Sequence, residues 1–231
     1  MGVSSWSLWN GTAEVPLILQ GVWNGTAVVP LRVEGDSGGA PANVDARTFY
    51  WEGTSHPIPV PSGARKLVMA AWNTTASISP PAGWTLLEEM VTTSGRAALW
   101  TATSPSSGNW TTAAGGKLTA ICLGYSGSTV HASEALPEST ADTVHTAPAI
   151  TVSEVPATVV RFWWDKVTGT TSVTGPGDHT ELARHLPLTT AGCSVLAAEL
   201  TVETPGTVPA ADATFNMAAG NAGGFSVALV A

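Results

Sequence analysis

The sequence predicts an all-β protein, and three of its features support this prediction. The 231 residues include 24 glycines and 16 prolines, which cluster with Ser and Asn between short runs rich in Val, Thr and aromatic residues. That alternation is typical of short strands joined by tight turns. No segment shows the apolar period of an amphipathic helix. Hydrophobic residues make up 44% of the chain, ten of them Trp, so a chain of this length can bury a large core.

Nine segments have the composition of strands, and turn-forming clusters separate them. Strands at this spacing predict a β-sandwich of the jelly-roll type. The predicted strands are Thr48–Glu52, Lys66–Asn73, Trp84–Thr92, Ala97–Ala102, Lys117–Tyr125, Ala149–Val152, Thr158–Lys166, Cys193–Val202 and Phe225–Val230.

A tandem repeat precedes the predicted sandwich. The unit LWNGTAEVPLILQG at residues 8–21 is followed at once by VWNGTAVVPLRVEG at residues 22–35. Each unit contains an Asn-Gly pair, a strong signal for a hairpin with a type I′ turn. Pro16 and Pro30 lack an amide hydrogen, which places their strands at a sheet edge or interrupts them.

A two-stranded ribbon of this size is marginally stable alone, so we expect its apolar stripe to contact a partner surface. We therefore interpret residues 1–35 as a docking arm. The predicted docking contacts are Trp9, Val15, Leu17, Trp23, Val29 and Leu31.

Residues 36–46 have the composition of a linker, and residues 47–231 form the predicted sandwich. The sequence GDSGGAP at Gly35–Pro41 matches the surroundings of the nucleophilic serine in trypsin-like proteases, with Ser37 in that role. Such a nucleophile needs a histidine base and an aspartate. No histidine precedes His56, and 36 residues are too few for the preceding barrel. A linker is the preferred interpretation.

Charge and composition exclude several functions. The net charge is −8, and the nine Lys and Arg residues are scattered, so we expect no nucleic-acid binding. No apolar run is long enough to span a membrane. The first residues lack the basic and apolar regions of a secretory signal, which favours assembly in a cytoplasm.

Cys122 and Cys193 lie in apolar runs, so buried thiols are expected, with a bridge as the alternative.

The chain offers no recognisable catalytic motif. Its five histidines lack metal-ligand spacing. Asp178, His179 and Glu181 lie close together in the segment GDHTE, which is either a metal site or a solvated loop. Glycosidase chemistry needs two facing carboxylates, and nothing in the sequence pairs any two. We expect no enzymatic activity, no cofactor and no metal.

The tryptophans admit two interpretations. Trp163 and Trp164 are adjacent, so in a strand their side chains point to opposite faces of the sheet. Large aromatic side chains most often fill a core or a subunit interface. Exposed ones can instead form a platform on which sugar rings stack. The candidate glycan contacts are Trp110, Trp163 and Trp164.

Residues 79–127 carry a resemblance to a known class of proteins. The segments PPAGWTLL, GRAALWTATSPSSG and TAICLGYSG resemble the β-sandwich of minor tail proteins, tail-tip proteins and other virion appendages of phages that infect actinobacteria. The tandem WNGT…VPL units also resemble the N-terminal segments of such proteins. The motifs of this class carry no catalytic residues.

The resemblance implies a structural protein of a bacteriophage virion. Residues 1–35 would contact other virion proteins, and the sandwich would be displayed outside, with a homotrimer as the favoured assembly. Two roles remain open. In the first, the protein is a minor tail or tail-tip appendage that contacts the host surface or its glycans. In the second, it is a capsid decoration or head-fibre protein with a purely structural role.

Overall fold

A computed structural model of the chain describes residues 6–9, 14–17, 39–187 and 192–231. The chain divides into two units, Met1–Gly39 and Ala40–Ala231. Throughout the described residues the regular structure is strand, so the all-β prediction is confirmed. Among them no helix is long and apolar enough to cross a membrane.

The described part of the first unit is a pair of short strands. β1 (Trp6–Trp9) pairs antiparallel with β2 (Glu14–Leu17), and Leu8 lies opposite Val15. This pairing agrees with the hairpin predicted for the first repeat, because β1 ends directly before its Asn-Gly pair and β2 follows it. The remaining predicted docking contacts, Trp23, Val29 and Leu31, lie outside the described residues.

The second unit contains sixteen strands among its described residues. In chain order they are β3 (Asn43–His56), β4 (Arg65–Trp72), β5 (Ile78–Ser79), β6 (Thr85–Val91), β7 (Arg96–Ala102), β8 (Trp110–Tyr125), β9 (Thr129–Glu138), β10 (Asp142–Ala147), β11 (Ile150–Val152), β12 (Ala157–Asp165), β13 (Val173–Thr174), β14 (Thr180–His185), β15 (Ser194–Val202), β16 (Gly206–Val208), β17 (Ala211–Ala219) and β18 (Ala222–Val230). Each of the nine predicted segments coincides with one of them. β3 starts inside the predicted linker 36–46, so the folded unit begins earlier than expected.

Two antiparallel sheets form the β-sandwich. The first sheet has the order β3-β8-β4-β7-β6, with β5 paired to β8, and the second sheet has the order β14-β15-β12-β18-β9. Fully buried side chains fill the space between them, among them Leu99 and Ile121 from the first sheet and Phe162 and Phe225 from the second. Burial of this apolar area is the main term that stabilises the fold.

A third layer covers the other face of the second sheet. This outer layer consists of the strands β10-β17-β13 and β11-β16. Ala213 and Phe215 of β17 pack with Trp163 of β12, and Val152 of β11 packs with Val159 of β12. β12 is therefore buried on both faces over its whole length. This explains why its sequence has apolar residues on both faces instead of alternating apolar and polar ones.

Candidate functional site

The structure places the three candidate glycan contacts in the protein interior. Trp163 and Trp164 have no exposed surface, and Trp110 is 1% exposed. A side chain without an exposed face cannot stack on a sugar ring. The structure therefore gives no support to glycan binding at these three positions, and the alternative interpretation, that they fill the core, describes them better.

Each of the three tryptophans fills a different part of the core. Trp164 lies between the two sheets. Trp163 faces the outer layer, where its indole Nε1–H donates to the carbonyl of Ala211 at 3.1 Å. Trp110 packs edge-on to Trp100, with ring centroids 4.8 Å apart, on the outer face of the first sheet. The two adjacent tryptophans do point to opposite faces, as expected, and both faces of their sheet are covered.

Three partly exposed aromatic side chains among the described residues lie on the edge strand β3. On the edge strand β3, the rings of Phe49 and Trp51 are stacked with centroids 5.1 Å apart and an interplanar angle of 20°. Each ring therefore covers one face of the other. Tyr50 points the opposite way and stacks on His185, with centroids 5.7 Å apart. The Phe49–Trp51 contact lies within β3, whereas the Tyr50–His185 contact joins β3 of the first sheet to β14 of the second.

The segment GDHTE does not gather its side chains around one point. His179 Nδ1 lies 2.7 Å from the carboxylate of Asp178, and this hydrogen bond holds the pKa of Asp178 below its usual value. Glu181 instead pairs with Arg184, 3.3 Å away. Within the described residues, no group of three or more His, Cys, Asp or Glu side chains could hold a metal ion. Ser37 lies outside the described residues.

A half-buried and a buried carboxylate in the domain are engaged by neighbouring donors. Tyr125 donates to Glu199 at 2.8 Å, and burial raises the pKa of Glu199. Asp165 is fully buried and accepts from the Thr170 hydroxyl at 3.1 Å and the Ser194 amide at 3.4 Å. Burial raises the pKa of Asp165 to about 6. These side chains act as internal hydrogen-bond acceptors rather than as a facing pair.

A polar depression of about 430 Å³ lies where β9 ends and β10 begins. It is lined by Pro137, Glu138, Ser139, Thr140, Asp142, Val144 and Thr146. Glu138 accepts from the amide of Thr146 at 2.7 Å and lies 2.7 Å from Nδ1 of the buried His145. Asp142 accepts from the amide of Thr143 at 2.6 Å. The two carboxylates at this depression are thus used to hold the local backbone.

The sequence reasoning missed a buried arginine at the centre of the domain. Arg161 lies in the apolar run of β12 and has no exposed surface. Its Nη1 donates to the carbonyls of Ala147 at 3.1 Å and Pro148 at 3.0 Å, and its Nη2 donates to the carbonyl of Pro209. The guanidinium therefore ties the second sheet to two connections of the outer layer. A cationic residue in the middle of an otherwise largely apolar strand was the signal that could have identified it.

Both cysteines are free and buried, so the expectation of buried thiols is confirmed. Burial raises the pKa of both Cys122 and Cys193. Because the thiolate is the reactive form, neither side chain is suited to act as a nucleophile.

Comparison of the chain with protein-family models, with curated proteins and with solved structures yields no match.

Proposed function

We propose that the protein is a structural component of a bacteriophage virion, attached to the particle through residues 1–35 and displaying its β-sandwich on the surface. The resemblance of residues 79–127 and of the tandem repeat to virion appendage proteins suggests this role. Within that class, a minor tail or tail-tip appendage is the first candidate. We further propose that the protein forms a homotrimer and that its arm contacts other virion proteins.

The observation that supports a structural role best is how the domain uses its large side chains. The first and second sheets pack against each other, and the outer layer covers the other face of the second sheet. Trp163 and Trp164 lie within this packing with no exposed surface. Buried carboxylates and the buried arginine bond to neighbouring backbone and side chains. Such an interior serves stability, which a domain displayed on a particle requires.

A second candidate, a capsid decoration or head-fibre protein, is favoured by the same burial. A tail-tip adhesin that binds glycans is expected to expose aromatic side chains for the sugar. The three predicted glycan contacts are buried instead. A purely structural role needs no such surface, and attachment through residues 1–35 is the same in either case.

Electron cryomicroscopy of intact particles tests this proposal by locating the chain and the contacts of residues 8–35. Density for the chain at the tail tip or baseplate supports the first candidate, and density on the capsid lattice supports the second. Absence of the chain from purified particles would contradict the proposal.

The attachment itself can be tested by replacing Trp9 and Trp23 together with alanine. We expect the full-length variant to fold but to be lost from particles, because apolar contacts of the arm are removed. Leu136→Ala is a matched control, since Leu136 is an apolar residue of the domain that is 38% exposed. Normal incorporation of the double variant would contradict the role given to the arm.

A further inference from the structure

On the surface of the second unit, a serine lies near one ring nitrogen of a histidine and a glutamate lies near the other. His131 belongs to β9, while Ser153 and Glu154 lie in the connection between β11 and β12. The Ser153 hydroxyl is 3.0 Å from His131 Nε2, and His131 Nδ1 is 3.8 Å from the Glu154 carboxylate. A nucleophile, a base and an acidic group in this order are recognised by geometry rather than by sequence position.

The hydrogen bonds identify the tautomer of the histidine. The backbone amide of Ser153 donates to His131 Nε2 at 3.2 Å. Because an amide can only donate, Nε2 must carry the lone pair, and the proton of the neutral ring is on Nδ1. Nδ1–H then faces Glu154, and the Nε2 lone pair is shared between the Ser153 amide and the Ser153 hydroxyl. A histidine needs this tautomer to remove a proton from serine.

The three side chains differ in their solvent exposure, and the difference suits an accessible nucleophile. Ser153 is exposed. The side chain of His131 is 19% exposed, and that of Glu154 is 69% exposed. The imidazole is thus held largely within the surface by its amide contact, whereas the serine hydroxyl is open to a reactant from solvent.

We propose that Ser153 is a nucleophile activated by His131, and that it accepts acyl groups from carboxylic esters that reach the domain surface. This activity goes beyond the structural role proposed above and departs from the expectation that the protein is not an enzyme. Glu154 is a positioning residue, because its carboxylate faces the ring nitrogen that bears the proton.

The reaction has two steps. The Ser153 oxygen bonds to the ester carbonyl carbon and gives its proton to His131 Nε2, and the hydrogen bond from the Ser153 amide to Nε2 breaks as the ring takes that proton. The bond from carbon to the alcohol oxygen then breaks, and the leaving oxygen takes that proton. In the second step water attacks the acyl carbon, His131 accepts a proton from the water and returns it to the serine oxygen, and a carboxylic acid leaves. General-base assistance of this kind contributes roughly 10²–10⁴-fold to rate.

The test is covalent labelling of the full-length protein with a fluorophosphonate probe, followed by mass spectrometry of the labelled peptide. The serine oxygen replaces fluoride at phosphorus, so the adduct marks the nucleophile. We expect an adduct at Ser153 that forms about 10²-fold or more faster than at Ser139. Ser139 is also exposed, and none of the five histidines is hydrogen-bonded to it. Hydrolysis of p-nitrophenyl acetate should follow the same pattern.

Matched variants distinguish a catalytic role of these side chains from a purely structural hydrogen bond. Ser153→Ala and His131→Gln should abolish the adduct at this position, whereas Ser139→Ala should leave it unchanged. Glu154→Gln should slow labelling, and Glu154→Asp should retain more of the rate, since it keeps the charge. Thermal unfolding of each variant checks that the fold is intact. Labelling of Ser153 at the rate of Ser139, or labelling that His131→Gln leaves unchanged, would overturn the proposal. Incorporation into particles is independent of either result.

Discussion

Replacement of Arg161 by methionine should lower the free energy of unfolding of this protein substantially. Methionine has a similar length and is apolar, so it fills the space among the side chains of β12 and its neighbours but donates no hydrogen bond. The carbonyls of Ala147 and Pro209 lose the donor that the guanidinium supplies. The carbonyl of Pro148 keeps the Ser226 hydroxyl as a donor at 2.6 Å.

The magnitude follows from two opposing effects. A buried acceptor without a partner costs about 1–3 kcal/mol, and two carbonyls are affected. Removal of the charge relieves part of the desolvation penalty of the guanidinium, whose burial lowers the pKa of Arg161. We therefore expect a net destabilisation of about 2–5 kcal/mol. The loss should fall mainly on the attachment of the outer layer to the second sheet.

Equilibrium unfolding in guanidinium chloride measures this loss, and amide hydrogen exchange locates it. Exchange in β10 and β17 should accelerate more than exchange in β4 and β7, which lie in the first sheet. Arg184→Met is the control. The Arg184 side chain is 51% exposed and pairs with Glu181, and its hydrogen bond to the carbonyl of Val173 is long at 3.4 Å, so its effect should stay within about 0.5 kcal/mol. An Arg161→Met protein as stable as its parent would refute the reasoning and would mean that relief of desolvation outweighs the lost bonds.

Three further predictions concern stability. Because burial raises the pKa of Asp165 from 3.8 to about 6, the folded state binds the proton more tightly than the unfolded state. Asp165 should therefore reduce stability as pH rises from 4 to 7, by about 2 kcal/mol relative to Asp165→Asn, and chemical unfolding across this range should show it. Equal pH dependence of the two proteins would contradict this. Gly124→Ala should destabilise the protein by about 1–3 kcal/mol, because the added Cβ would lie 1.6 Å from the Ser62 carbonyl oxygen. Gly127→Ala is the control, since its Cβ would meet nothing within 4 Å. Equal melting temperatures of the two variants would show that the backbone at Gly124 adapts freely. Trp164→Ala should cost about 3–5 kcal/mol in urea unfolding, and a smaller loss would indicate that the core collapses around the cavity.

The strands that the sequence predicted are those with a local signal. β4, β7, β12 and β18 are apolar runs bounded by turn residues, and their positions follow from composition. β10 and β17 were not predicted, because each of these strands buries one face and exposes the other. The residues Asp142–Ala147 and Ala211–Ala219 therefore contain polar side chains that resemble those of a loop. Their strand character depends on pairing with each other, which is a long-range contact.

Candidate site residues were less predictable than strands, for the same reason. Whether Trp163 is exposed depends on what covers the outer face of β12, and that cover consists of strands that the sequence did not reveal. Ser153 and His131 are 22 positions apart in sequence, and no local pattern brings them together. The pairing of β9 with β18 and of β12 with β18 sets their distance.

By itself, the sequence of this protein determined the fold class, because hydrophobic periodicity, turn residues and the absence of a helical pattern are local properties. It also determined that Trp163 and Trp164 point to opposite faces, since that alternation belongs to any strand. Only the tertiary structure decided that a third layer covers the second sheet, that Arg161 bonds to backbone carbonyls, and that Ser153 meets His131. These features arise from contacts between residues distant in the chain, whose free energy no short segment of sequence contains.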